Sequence, residues 1–129
     1  MFKFFCIVML GGAIGTGCRL WLSSLIATRY GETFPLGTLL VNVLGSFVIG
    51  LFVGLTGPEG KFFMSPLMRQ FVTLGVLGGF TTFSSFSFQT VTLIADGEWL
   101  WAGLNVILSV ALCLIVCWLG NSAASLINR

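Results

Sequence analysis

With 129 residues, 57% of them hydrophobic and only 8% charged, the chain falls far below the roughly 25% charge of an ordinary soluble domain. That deficit excludes a water-soluble globule, and a net charge of +2 excludes a strongly basic nucleic-acid face. At about 20 residues per membrane span, the length holds four helices and leaves no room for a soluble domain.

The first apolar run spans roughly Phe4 to Ala27, with Arg19 as its only charge. Lys3, the apolar run and the small residues before Gly15 mimic a signal peptide. The run continues toward Ile26, longer than a signal core, so it reads as a mature first helix. Arg19 can snorkel to the interface or line a vestibule that concentrates anions. Gly11 and Gly15 form a small-xxx-small pair that suits close helix packing.

The second run spans roughly Phe34 to Leu55 and has no charge. Thr38, Asn42 and Ser46 recur every fourth residue and form one polar stripe on an apolar rod. Gly50 and Gly54 repeat the small-xxx-small spacing.

The third run spans roughly Pro66 to Ala95, with Arg69 near its start. Its middle reads Gly78-Gly79-Phe80-Thr81-Thr82-Phe83-Ser84-Ser85-Phe86-Ser87. A glycine pair and a run of hydroxyls both weaken a helix. A break near Gly78 to Ser85 is therefore expected, in a place where non-helical backbone survives only if buried in protein or facing a wet cavity. Phe80, Phe83 and Phe86 line up three residues apart, and their rings have positive edges.

The fourth run spans roughly Trp99 to Ile127 and has no charge. Asn105 and Ser109 make a second polar stripe that continues to Cys113. Trp21, Tyr30, Trp99, Trp101 and Trp118 lie toward run ends, as interfacial aromatics do. Cys6, Cys18, Cys113 and Cys117 all sit in apolar runs and read as small hydrophobes, not as a disulfide or zinc framework.

Orientation is weakly encoded. Lys3, Lys61, Arg69 and Arg129 fall on the side of the termini, against Arg29 and at most Arg19 on the other. The positive-inside rule favours cytoplasmic termini by a small margin, and a small margin is compatible with insertion both ways.

Hydroxyls, an asparagine amide and ring edges all suit an anion. The acids Glu32, Glu59, Asp96 and Glu98 all fall in loops, whereas a proton relay or cation pump needs a buried carboxylate. The two stripes and the weakened third helix therefore point to a path for a small anion. The rivals are a small four-helix drug exporter, which needs an intramembrane acid, and a non-conducting membrane subunit, for which the stripes are packing glue. With no histidine, no acid at depth and no nucleophile constellation, an enzyme is the least favoured reading.

Over its whole length the sequence resembles the Fluc (CrcB) family of fluoride channels. The segment Gly78 to Ser87 is similar to that family's third-helix signature. Leu36-Gly37-Thr38-Leu39-Leu40-Val41-Asn42 resembles its second-helix motif, and Gly15 to Arg19 its first-helix glycine and arginine segment. The resemblance implies an all-α membrane protein of four helices per subunit, in an antiparallel dual-topology homodimer with two fluoride pores, in a bacterial cytoplasmic membrane. It implies pore roles for Phe83 and Phe86, with Asn42 beside them and Ser84 and Ser85 on the polar track. Asn105 and Ser109 match fourth-helix pore positions, while Cys113 replaces a serine. It further implies a structural sodium ion held by the backbone carbonyls of Gly78 and Thr81. Gln89 stands where the family often has glutamate, so no carboxylate role carries over.

Overall fold

A computed structural model describes residues 1–129. Four helical spans are long and apolar enough to cross a membrane: Phe2–Tyr30, Leu36–Thr56, Pro66–Ala95 and Trp99–Asn128. Helix α1 is Phe2–Tyr30, α2 is Leu36–Thr56 and the last, α6, is Trp99–Asn128. Their 29, 21 and 30 residues correspond to roughly 44, 32 and 45 Å of rise, enough for a hydrocarbon core of about 30 Å.

The third span is composite. It opens with α3, Pro66–Gln70, where proline occupies the first turn and Ser65 accepts a hydrogen bond from the Met68 N–H at 3.4 Å. Proline is tolerated there because that N–H has no helical partner anyway. The winding then widens to a π-helix over Phe71–Leu77, tightens again for one turn in α4, Gly78–Phe80, and resumes as α5, Phe83–Ala95. Nothing in the residue pattern of Phe71–Leu77 announces the wider winding.

Two seams hold the bundle together. Helix α2 packs along α6, and α1 packs along the π-helical segment and α4. Both seams are backbone-close and depend on glycine. A methyl group on Gly15 would lie 2.8 Å from the Phe80 backbone nitrogen, and one on Gly50 would lie 3.0 Å from the Cys117 carbonyl carbon. No side chain fits at either position without parting the helices. Both small-xxx-small pairs therefore face a neighbouring helix, Gly11 and Gly15 toward the third span and Gly50 and Gly54 toward α6. In lipid, close approach of this kind substitutes for the hydrophobic drive that water would supply.

The outer surface is apolar. Only 18 of 129 residues are buried, and Leu20, Trp21, Ile107, Leu114 and Trp118 all lie on the exterior. Such a surface calls for a bilayer as solvent, and the chain is a multi-pass membrane protein. All four acidic residues lie outside the helices.

Candidate functional site

The site is built around Thr81 and Thr82, where the third span leaves helical geometry. Thr81 has φ −81° and ψ 156°, and Thr82 has φ −152° and ψ 120°. The sequence allows this locally. Gly78 and Gly79 lower helix propensity just ahead, and the Thr82 hydroxyl caps α5 by accepting from the Ser85 N–H at 3.2 Å.

An isolated extended stretch would leave peptide groups unpaired at membrane depth, at a cost of several kcal/mol each. Asn42 supplies the missing partners. Its Nδ2 donates to the Thr82 carbonyl at 2.9 Å, and its Oδ1 accepts from the Thr82 N–H at 2.8 Å. One side-chain amide thus pairs with the same residue twice, as a neighbouring strand would.

These bonds release two carbonyls. In a continuous helix the Thr82 N–H would bond to the Gly78 oxygen and the Ser85 N–H to the Thr81 oxygen. Here the first donates to Asn42 and the second to the Thr82 hydroxyl. The Gly78 and Thr81 oxygens thus lose their i+4 donors, and both residues line the same cavity.

That cavity has a volume of about 430 Å³ and lies between α2, the third span and α6. Asn42, Ser46, Phe83, Phe86 and Ser109 all contribute to its wall. The rings of Phe83 and Phe86 sit 5.2 Å apart with planes inclined at 51°. Phe86 is buried, at 8% exposure, whereas Phe83 is 75% exposed. No acidic side chain lines this cavity.

A second, wider cleft of about 1050 Å³ opens among α1, α2 and α5 toward the α1–α2 and α5–α6 loops. Arg19, Thr38, Ser85 and Gln89 line it, with Glu32, Asp96 and Glu98 on its loop side. Thr82 belongs to both linings and forms part of the partition between them.

The Thr73 and Thr81 hydroxyls donate back to the Arg69 and Leu77 carbonyls, at 2.9 and 3.0 Å. The Thr82 hydroxyl donates to Ser85 Oγ at 3.2 Å. A hydroxyl has one proton, so these three present oxygens only. The Ser46, Ser85 and Thr38 protons stay uncommitted, as does the second Nδ2 proton of Asn42. Ser109 donates to Asn105 Oδ1 across 3.5 Å, a bond at the outer limit of hydrogen-bond geometry. Uncommitted neutral donors therefore run from Thr38 and Ser85 in the cleft to Asn42 and Ser46 in the cavity, where Ser109 adds a weakly held proton.

The expected residues do not all share one wall. Asn42, Phe83, Phe86 and Ser109 meet at the smaller cavity, together with Gly78 and Thr81. Thr38, Ser85 and Arg19 meet at the cleft. Ser84 lines neither cavity, and its hydroxyl lies 3.2 Å from that of Thr82. Asn105 is 2% exposed and also lines neither; its Nδ2 donates to the Thr90 hydroxyl at 2.9 Å. Sequence reasoning missed Thr82 as the shared partition residue. Its signal was available: a threonine between a glycine-weakened turn and a new helix is a natural cap. It also missed Thr90, which gives no such signal.

The Arg19 Nε is buried without a partner in the cleft wall. Its guanidinium offsets the acids Glu32, Asp96 and Glu98 of the same cleft and favours an anion beside it, and salt screens the effect. The Arg19→Gln variant is expected to lower anion flux by on the order of 10-fold at low ionic strength. The deficit should shrink as ionic strength rises, which flux measured across a salt series would show. A deficit independent of salt would assign Arg19 to packing alone.

Comparison with known proteins adds an independent line. A family model described as "CrcB-like protein, Camphor Resistance (CrcB)" matches residues 6–121. A protein of Rhodospirillum rubrum, named a fluoride-specific ion channel, FluC, is 56% identical over 122 residues, covering 95% of each chain. Proteins with the same name from Opitutus terrae and Paramagnetospirillum magneticum are 57% and 54% identical. The first match covers 94% of this chain and 92% of the relative, and the second covers 97% and 98%.

Proposed function

Given that this chain belongs to the CrcB-like family, we propose that it is a fluoride-selective channel that lets cytoplasmic fluoride leave the cell passively. The names of the relatives support fluoride as the permeant ion. The observation that carries the mechanism is the row of uncommitted neutral donors on both sides of Thr82.

The energetic problem is dehydration. Moving an ion the size of a carboxylate into a medium of low dielectric costs on the order of 20 kcal/mol, and fluoride is smaller. Hydroxyl protons, the free amide proton of Asn42 and the ring edges of Phe83 and Phe86 would together replace the ion's water. None of these groups is charged, so the ion is not held permanently. An anion passing from the cleft would meet Thr38 and Ser85, then the Thr82 partition, then Asn42 and the phenylalanine rings, then Ser46 and Ser109. Arg19 would offset the acids Glu32, Asp96 and Glu98 of the cleft and favour fluoride beside it. A proton-coupled exporter would need an acid at depth, and the acids lie outside the helices.

The assembly we propose is an antiparallel homodimer of dual topology with two pores, in the bacterial inner membrane. Phe83 is 75% exposed on a single protomer, and a second copy would cover it. The sodium reading also fits the chain. The Gly78 and Thr81 oxygens have lost their i+4 helical donors, and carbonyl oxygens are the ligands a hard cation takes. Two protomers would offer four such oxygens. A sodium ion bound there would supply fixed positive charge between the two non-helical segments.

The experiment is complementation. Bacteria stripped of their own fluoride exporters are expected to regain growth in millimolar fluoride when they make this protein. Protein present in the membrane without protection would favour a non-conducting subunit instead.

A further inference from the structure

Behind the wall of the smaller cavity lies a polar cluster to which the fluoride path assigns no task. Thr90 on α5 and Asn105 on α6 are both buried, at 9% and 2% exposure. The Asn105 Nδ2 donates to the Thr90 hydroxyl at 2.9 Å, and that hydroxyl donates to the Phe86 carbonyl at 2.8 Å. At the other end, the Ser109 hydroxyl donates to Asn105 Oδ1 at 3.5 Å. One chain of hydrogen bonds therefore runs from Ser109 to the backbone of Phe86, and both of these residues face the cavity.

The direction of these bonds matters. Thr90 has one proton and gives it to Phe86, so the Asn105 amide must be the donor to Thr90. The Thr90 hydroxyl is thus bound from both sides, and the Asn105–Thr90 bond fixes α5 against α6 at the level of Phe86. Burial makes this bond hard to exchange for water. The Ser109 end is long and weak by comparison, so the Ser109 proton can turn toward the cavity without loosening the rest.

We propose that Thr90 and Asn105 are positioning residues for Phe86: they lock α5 to α6 so that the ring presents a fixed edge to the cavity. This rests on the reading of that cavity as part of a fluoride path. Asn105 then acts on the ion only through Phe86 and Ser109, never by contact.

The test compares Thr90→Val, which removes the hydroxyl and keeps the β-branched shape, with Thr90→Ser, which keeps the hydroxyl. Two readouts are taken: fluoride efflux from proteoliposomes, and the ¹⁹F resonance of 4-fluorophenylalanine placed at position 86 alone. Thr90→Val is expected to slow efflux by about 10-fold, the effect of one lost ordering bond, and to broaden or split the resonance. Thr90→Ser should restore both. Should the valine variant not fold, Thr90→Ala is read the same way. Wild-type flux and an unchanged resonance in Thr90→Val would overturn the proposal, as would failure of Thr90→Ser to rescue. A wild-type protein that carries no fluoride would refute the channel reading, and the resonance comparison alone would then decide whether Thr90 and Asn105 position Phe86.

Discussion

Phe83→Ile and Phe86→Ile are each expected to lower fluoride flux by roughly 100-fold, the effect of about 3 kcal/mol added to the barrier. Isoleucine fills much of the ring's volume and stays apolar, but it has no positive edge to offer an anion. The two variants should differ in stability. Phe86 is buried at 8% exposure, so its replacement repacks the wall and costs about 1 to 3 kcal/mol. Phe83 is 75% exposed in the protomer, so its replacement should leave the protomer fold intact. Flux read with a fluoride electrode, beside thermal unfolding in detergent, separates the two effects. Wild-type flux in both variants would return the rings to packing.

The second large effect is expected at Asn42. Asn42→Leu removes both bonds to Thr82 and leaves a peptide N–H and C=O without partners. An orphaned group costs about 1 to 3 kcal/mol when fully buried, so for these part-buried groups the loss is at most roughly 2 to 6 kcal/mol in all. Flux should fall by at least about 100-fold, since the same amide also lends a proton to the cavity. Asn42→Asp isolates the second role. A carboxylate can still accept from the Thr82 N–H but cannot donate to the Thr82 carbonyl, and its charge opposes an incoming anion. The expected result is a less damaged fold with flux equally lost. Near-normal flux in Asn42→Asp would show that the amide serves the backbone only.

Much of this architecture is written locally. Four apolar runs separated by short polar turns require four helices because the bilayer satisfies no backbone group from outside. The glycine pair and hydroxyl run mark where helix propensity is weakest, and the two polar stripes mark which faces turn away from lipid. What stayed illegible is non-local. The Thr82 peptide pairs with a side chain 40 residues earlier, and no spacing rule links Asn42 to that residue. The Gly78 oxygen is released by that distant bond, whereas the Thr81 oxygen is released by the local Thr82 cap on the Ser85 N–H. The π-helical winding of Phe71–Leu77 lies where α1 packs closely against the third span, and its own residues do not announce it.

Asn105 shows the other limit. On a helical wheel it shares a face with Ser109, and the stripe alone puts both on one wall. The structure divides them: Ser109 reaches the cavity, while Asn105 turns into the α5–α6 seam and bonds to Thr90. The decision lies with a partner hydroxyl on another helix. A polar stripe thus identifies an inward face without saying which of its members meets the ion.

The most direct test of the central claim is anion efflux from proteoliposomes containing the purified wild-type protein, with fluoride and chloride followed separately. A fluoride-selective channel is expected to give rapid fluoride loss with chloride retained. Fluoride retained at the rate of protein-free vesicles, or chloride lost as fast as fluoride, would contradict it.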